Sequence, residues 1–108
     1  MAKPYNHDLA CAKKWGGRWE DYHEINQFMD SSKAHIADYR HRAIFHSSFG
    51  CFIVEKVFGI NIINSDGKTV SVRDIAEFHI IMDLGKIPSV QDWFAKMPIE
   101  PWMSAPQV

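Results

Sequence analysis

The segment Tyr39–Phe58 constrains this chain more than any other. Read as one helix of about 20 residues, it places Phe45, Phe49, Phe52, Ile53 and Val57 on one broad face. Ala43, Ile44, Cys51, Val54 and Phe58 cover most of the remainder. Only His41, Ser48 and Glu55 form a narrow polar strip, and Gly59 supplies a C′ residue. A helix that is apolar nearly all round is buried on all sides. The expectation is a mainly α fold with minor β, about five helices wrapped round a central Tyr39–Phe58 helix. A chain of 108 residues has room for one domain, residues 1–108, and its 46% hydrophobic content is too high for disorder.

The flanking elements follow from local signals. Asn6 can cap a helix through Lys14 that stops at Gly16-Gly17. A second helix is expected from Trp19 to Met29, with Tyr22, Ile25, Phe28 and Met29 inward and Asp30-Ser31-Ser32 as its breaker. Asp38 is a plausible cap for the next element. Two β-branched runs, Gly59–Ile63 and Lys68–Val72, flank Asn64-Ser65-Asp66-Gly67 and predict one β-hairpin near residues 60–72. Ser71 and Asp74 open a helix over Val72–Leu84 that ends at Gly85, and Pro88-Ser89-Val90-Gln91-Asp92 opens a last one through Lys96. The tail, with Pro98, Pro101 and Pro106, is expected to wrap the surface, anchored by Trp102.

A net charge of −1 gives no general attraction to nucleic acid or to anionic membrane. No apolar run reaches the roughly 20 residues of a membrane span, and the start of the chain lacks a secretory apolar core. Cys11 and Cys51 therefore read as free, buried thiols in a cytoplasmic protein.

Geometry sorts the six histidines. On a continuous helix His41 and Glu55 share a face about 21 Å apart, too far for one ion. His46 points away from His41 into apolar surroundings. On the later helix His79 falls within the inward arc of Ile75, Phe78 and Met82, and Asp83 stands one turn on along the same side. His7, His23 and His35 show no such geometry. Three readings follow for His46, His79 and Asp83, in this order: buried, hydrogen-bonded structural groups; a metal site for zinc or iron; an acid–base pair. Cys-x-x-Cys and His-Glu-x-x-His spacings are absent.

Arg40 and Arg42, beside Tyr39 and His41, form a small basic patch at a helix start, where an anion can bind. Trp15, Trp19 and Trp102 are candidate interaction anchors, whereas Trp93 follows a helix start and is expected inward.

The run Arg40-His41-Arg42-Ala43…His46…Phe49-Gly50…Glu55…Val57-Phe58-Gly59 is familiar, as is Asn64-Ser65-Asp66-Gly67-Lys68…Val70-Ser71-Val72-Arg73-Asp74-Ile75…Glu77…His79…Asp83-Leu84-Gly85…Ile87-Pro88-Ser89…Asp92-Trp93. Over Tyr5 to Met103 the chain resembles a family of small uncharacterised bacterial and phage proteins. The resemblance implies a stand-alone intracellular domain, in the host cytoplasm if phage-encoded, and carries no activity or functional residues. The function ranked first is a small binding or regulatory protein that acts through a protein partner or as a homo-oligomer, with the hairpin edge and the tryptophans as its contact surface. The alternative is a metal-binding domain, or a metal-dependent enzyme, built on the buried histidines.

Overall fold

A computed structural model describes residues 4–104. Five α-helices and one short hairpin follow in chain order: α1 (Pro4–Trp15), α2 (Glu20–Met29), α3 (Ser48–Phe58), β1 (Asn61–Ile63), β2 (Thr69–Ser71), α4 (Val72–Leu84) and α5 (Val90–Phe94). Three 3₁₀ turns, Ser31–Ala34, Tyr39–Ala43 and Pro101–Met103, complete the described path. The fold is mainly α with minor β. Pro106 lies outside the described residues.

Burial follows helical spacing. Helix α2 buries Tyr22, Ile25, Asn26 and Met29, and α4 buries Val72, Ile75, Ala76, His79 and Ile80. With Cys11, Cys51, Val54 and Val70 these apolar side chains form the core. Helix α2 packs against α1 and α4, and α3 packs against α4. Helix α4 has the expected bounds: the Ser71 hydroxyl accepts the Asp74 amide, and Gly85 closes the helix in the left-handed region at φ 77°. Its inward arc is shifted by about one position, because Met82 is exposed. Helix α5 is short, with Ser89 and Asp92 bonded reciprocally as a capping box.

The continuous Tyr39–Phe58 helix is corrected by the structure. The segment is split into a 3₁₀ turn at Tyr39–Ala43, an irregular turn, and α3. The cause is local competition for backbone amides. Asp38 caps the 3₁₀ turn through the Arg40 amide (2.9 Å), and Ser47, in extended backbone, accepts the Gly50 amide (3.0 Å) and starts a new helix. Gly50 is required here, since a Cβ would meet the Phe45 backbone. The break changes which faces are inward. Phe49, Phe52 and Val57 are exposed, whereas His41, placed on a polar strip by the continuous helix, is buried.

The hairpin pairs Ile62 with Val70. Asn64 ties its loop to the junction between α1 and α2: the amide Nδ2 donates to the Trp15 carbonyl and the Tyr22 hydroxyl (both 3.2 Å), and Oδ1 accepts the Asp66 and Lys68 amides (both 3.0 Å). Asp66 accepts the Gly17 amide (2.8 Å). Gly16 and Gly17, both at positive φ, turn the chain beneath that loop. No helix among the described residues is long and apolar enough to cross a membrane.

Candidate metal centre

Five titratable side chains from four parts of the chain converge in the interior. Helix α1 contributes His7, the residue closing α2 contributes Asp30, the turn before α3 contributes His46, and α4 contributes His79 and Asp83. The three imidazoles are fully buried, and the Asp30 and Asp83 side chains are nearly so. Burying two carboxylates costs several kcal/mol each unless opposite charge and hydrogen bonds offset it.

The geometry is set by Asp83. Its Oδ2 lies 2.8 Å from His46 Nε2 and 3.4 Å from His79 Nε2, and its Oδ1 lies 3.2 Å from His7 Nε2. Asp30 Oδ1 stands 3.4 Å from His79 Nε2 and 3.7 Å from His46 Nε2. One atom from each of Asp30, His46, His79 and Asp83 falls within 4.8 Å of the others, so this buried group can hold a metal ion. His7 stacks on His79 with ring centroids 3.7 Å apart.

The tautomer of His79 is fixed by a chain that reaches toward the surface. Asp8, a carboxylate that only accepts, receives His23 Nδ1–H (2.6 Å) and Asn26 Nδ2–H (2.7 Å). The Asn26 carbonyl oxygen therefore faces His79 Nδ1 at 2.9 Å and accepts its proton. In the neutral ring this leaves Nε2 as a bare lone pair. That lone pair sits 3.4 Å from two carboxylate oxygens and hydrogen-bonds to neither. Both Asp30 oxygens and both His7 nitrogens are likewise buried without a hydrogen bond.

Electrostatics follow from the crowding. Burial alone raises Asp83 and Asp30, but the imidazoles beside them outweigh it and hold both below the usual carboxylate range. Burial lowers His79, yet the carboxylates of Asp30 and Asp83 outweigh it and raise the ring. For His46 burial prevails over Asp83 and favours the neutral ring. Without an ion, the His79 proton is the cluster's compensating charge.

Other candidate residues fall elsewhere. Arg40 is exposed and bound to Asp38 (2.8 Å) at a 3₁₀ turn, so the helix start expected to hold an anion there does not exist. Arg42 is buried beside Asp83 instead. Trp15 packs edge-on against Phe78, and Trp19 packs against Tyr5 and His23. Trp102 is 72% exposed and anchors nothing in the core. Trp93, half-buried, donates its indole N–H to the His46 carbonyl (3.0 Å). Cys11 and Cys51 are free and buried.

Residues 2–103 match the family described as Domain of unknown function (DUF6915). The chain belongs to this family. No curated protein and no solved structure matches it. The family description names no activity, so chemistry rests on the cluster itself. Sequence reasoning missed Asp30 and His7 as its members. Asp30 carried one signal, a carboxylate closing an amphipathic helix at the spacing of its buried face. His7 lies in register with Cys11 on α1.

Proposed function

We propose that this protein is a divalent-metal-binding domain, with Asp30, His46, His79 and Asp83 as ligands and His7 beside the second oxygen of Asp83. The observation that carries this is His79 Nε2, a buried ring nitrogen 3.4 Å from an oxygen of each of two buried carboxylates and hydrogen-bonded to neither. Around an ion with bonds near 2.05 Å, neighbouring ligand atoms stand roughly 2.9 Å apart at right angles and roughly 3.3 Å apart at tetrahedral ones, and the separations of 2.8, 3.4 and 3.7 Å here accommodate either. A mixed set of imidazole and carboxylate suits zinc, iron(II) or manganese(II) rather than calcium or copper(I). Four protein ligands leave positions open on a five- or six-coordinate ion, the arrangement that metal-dependent enzymes use.

The test is metal analysis of untagged protein, followed by titration of zinc, iron(II) and manganese(II) into chelator-treated protein. One equivalent of tightly held metal is expected, lost in His79→Ala and in Asp83→Ala. Wild-type protein that stays metal-free through all three titrations overturns the proposal.

A second reading, self-association, is favoured by the exposed apolar side of α3, where the rings of Phe49 and Phe52 stack at 6.3 Å. Light scattering of wild type and of Phe49→Ser tests it: a dimer that dissociates in the variant supports it, and a monomeric wild type removes it.

A further inference from the structure

Two polar groups beside the cluster remain unexplained by a metal ion alone. The Arg42 side chain is only 9% exposed, and its terminal nitrogen stands 3.9 Å from Asp83 Oδ2, too far for a hydrogen bond. Its Nε is buried with no partner. The guanidinium carbon lies 5.1 Å over the Tyr39 ring. Its neighbour His41 donates Nδ1–H to the Asp38 carbonyl (2.8 Å), so the neutral ring presents Nε2 as a buried acceptor, also without a partner. The His41 ring is 6.5 Å from that of His46. It also lines a surface cleft of about 380 Å³ with Ser32, Ile36 and Met97.

Charge sets what belongs there. A divalent ion balances the two carboxylates of Asp30 and Asp83. Arg42 is then an uncompensated buried cation, a state that an anion relieves. An ion with an open position and a guanidinium fork next to it both take oxygens of one oxyanion.

We propose that the centre binds a phosphoryl group as its external ligand, with Arg42 and the metal ion on separate phosphate oxygens and His41 Nε2 accepting the P–O–H. The substrate class is inorganic phosphate, or a phosphate monoester bound as its singly protonated monoanion, entering past His41. A carboxylate has two oxygens and, ionised, no hydrogen for His41. Sulfate has the shape without the proton. Arg42 is here a binding residue, and the inference rests on the metal reading above.

Calorimetric titration of inorganic phosphate into the metal-loaded protein tests this. Phosphate should bind the loaded wild type, bind at least about tenfold more weakly to Arg42→Gln, and fail to bind after chelation. Metal content is measured on every sample and should be unchanged in Arg42→Gln. Arg42→Lys keeps the charge and stem should the glutamine variant not fold, and is also expected to weaken phosphate because it loses the fork. Sulfate and acetate should bind more weakly than phosphate. Three results overturn the inference while leaving the metal site standing: a loaded wild type that ignores phosphate, an Arg42 variant that binds it equally, or acetate that binds as well. A chain that takes up no metal overturns the metal reading, and the phosphoryl site with it.

Discussion

At the scale of single residues, a proton and the proposed metal ion would compete for one lone pair on His79. Asp30 and Asp83 raise this imidazole above its ordinary value of 6.5 in the metal-free protein. A group whose folded value is raised adds stability that is full below the unfolded value and is lost as pH rises through the folded one. The lowered His46 acts in the opposite direction, but only below about 6.5, where the unfolded ring gains its proton. Above that value His79 decides the slope. Chelated protein should therefore melt at lower temperature as pH rises from 6.5, whereas metal-saturated protein should hold or gain, because binding releases the proton. Parallel slopes in the two samples would contradict the assignment. Asn26 belongs to the same scale. Asn26→Ala removes the acceptor that fixes the tautomer and should weaken metal affinity by about 10–100-fold, while Asp83 and His46 stay in place. Equal affinity in a competition titration against a chromophoric chelator would show that Asn26 orients nothing. The thiols mark the dry side of the same interior. Burial pushes Cys11 and Cys51 up to about 11, so both should resist alkylation at pH 8 until the chain unfolds.

At the scale of elements, the pair Ser47 and Gly50 matters most, because it converts one expected helix into two pieces and frees His46 from helical geometry. Ser47→Ala removes the cap on Gly50 N–H and should cost about 1 kcal/mol. Gly50→Ala drives a Cβ into the Phe45 backbone and should cost about 1–3 kcal/mol, measured by denaturant unfolding. A neutral Gly50→Ala would mean the turn is not packed this way. The same pair explains what was legible beforehand. Helix α4 was readable to its ends because Ser71, Asp74 and Gly85 are start and stop signals at the right offsets. The hairpin was readable because Asp66-Gly67 lies between β-branched runs. The break at Ser47 was hidden by Phe45, Phe49, Phe52 and Ile53, whose apolar periodicity continues across it. Periodicity reports which residues are apolar, and it is blind to a serine that gives the backbone a better partner than the next turn. The proximity of His79 and Asp83 came from their i, i+4 spacing. Asp30 and His7 join them only through tertiary packing of α1 and α2 on α4, a relation no local window holds.

At the scale of the whole molecule, the cluster joins elements that the apolar core leaves loosely tied. Core side chains come mainly from α2 and α4, while the segment 41–47 adds Ala43 and Phe45 and otherwise reaches the interior through the polar His41, Arg42, His46 and Ser47. His46 holds that turn by its bond to Asp83 at one end and by its carbonyl to Trp93 of α5 at the other. An ion bound by Asp30, His46, His79 and Asp83 would pin the end of α2, the turn and α4 to one point, and His7 would bring α1 to the same carboxylate. Removing such an ion would therefore act on the fold as a whole. At free metal near 100 times Kd, binding adds about 2.7 kcal/mol, and for a chain of this length that corresponds to a shift in melting temperature of roughly 10–20 °C. The shift should vanish in His79→Ala. It should persist in Arg42→Gln, whose side chain lies outside the ligand set. Hydrogen exchange locates the effect: on chelation, protection should fall first in residues 41–47, whose buried side chains are mostly polar, and last in α2 and α4. Uniform loss across all elements, or no thermal shift with metal bound, would mean that the ion is carried by the fold and does not hold it.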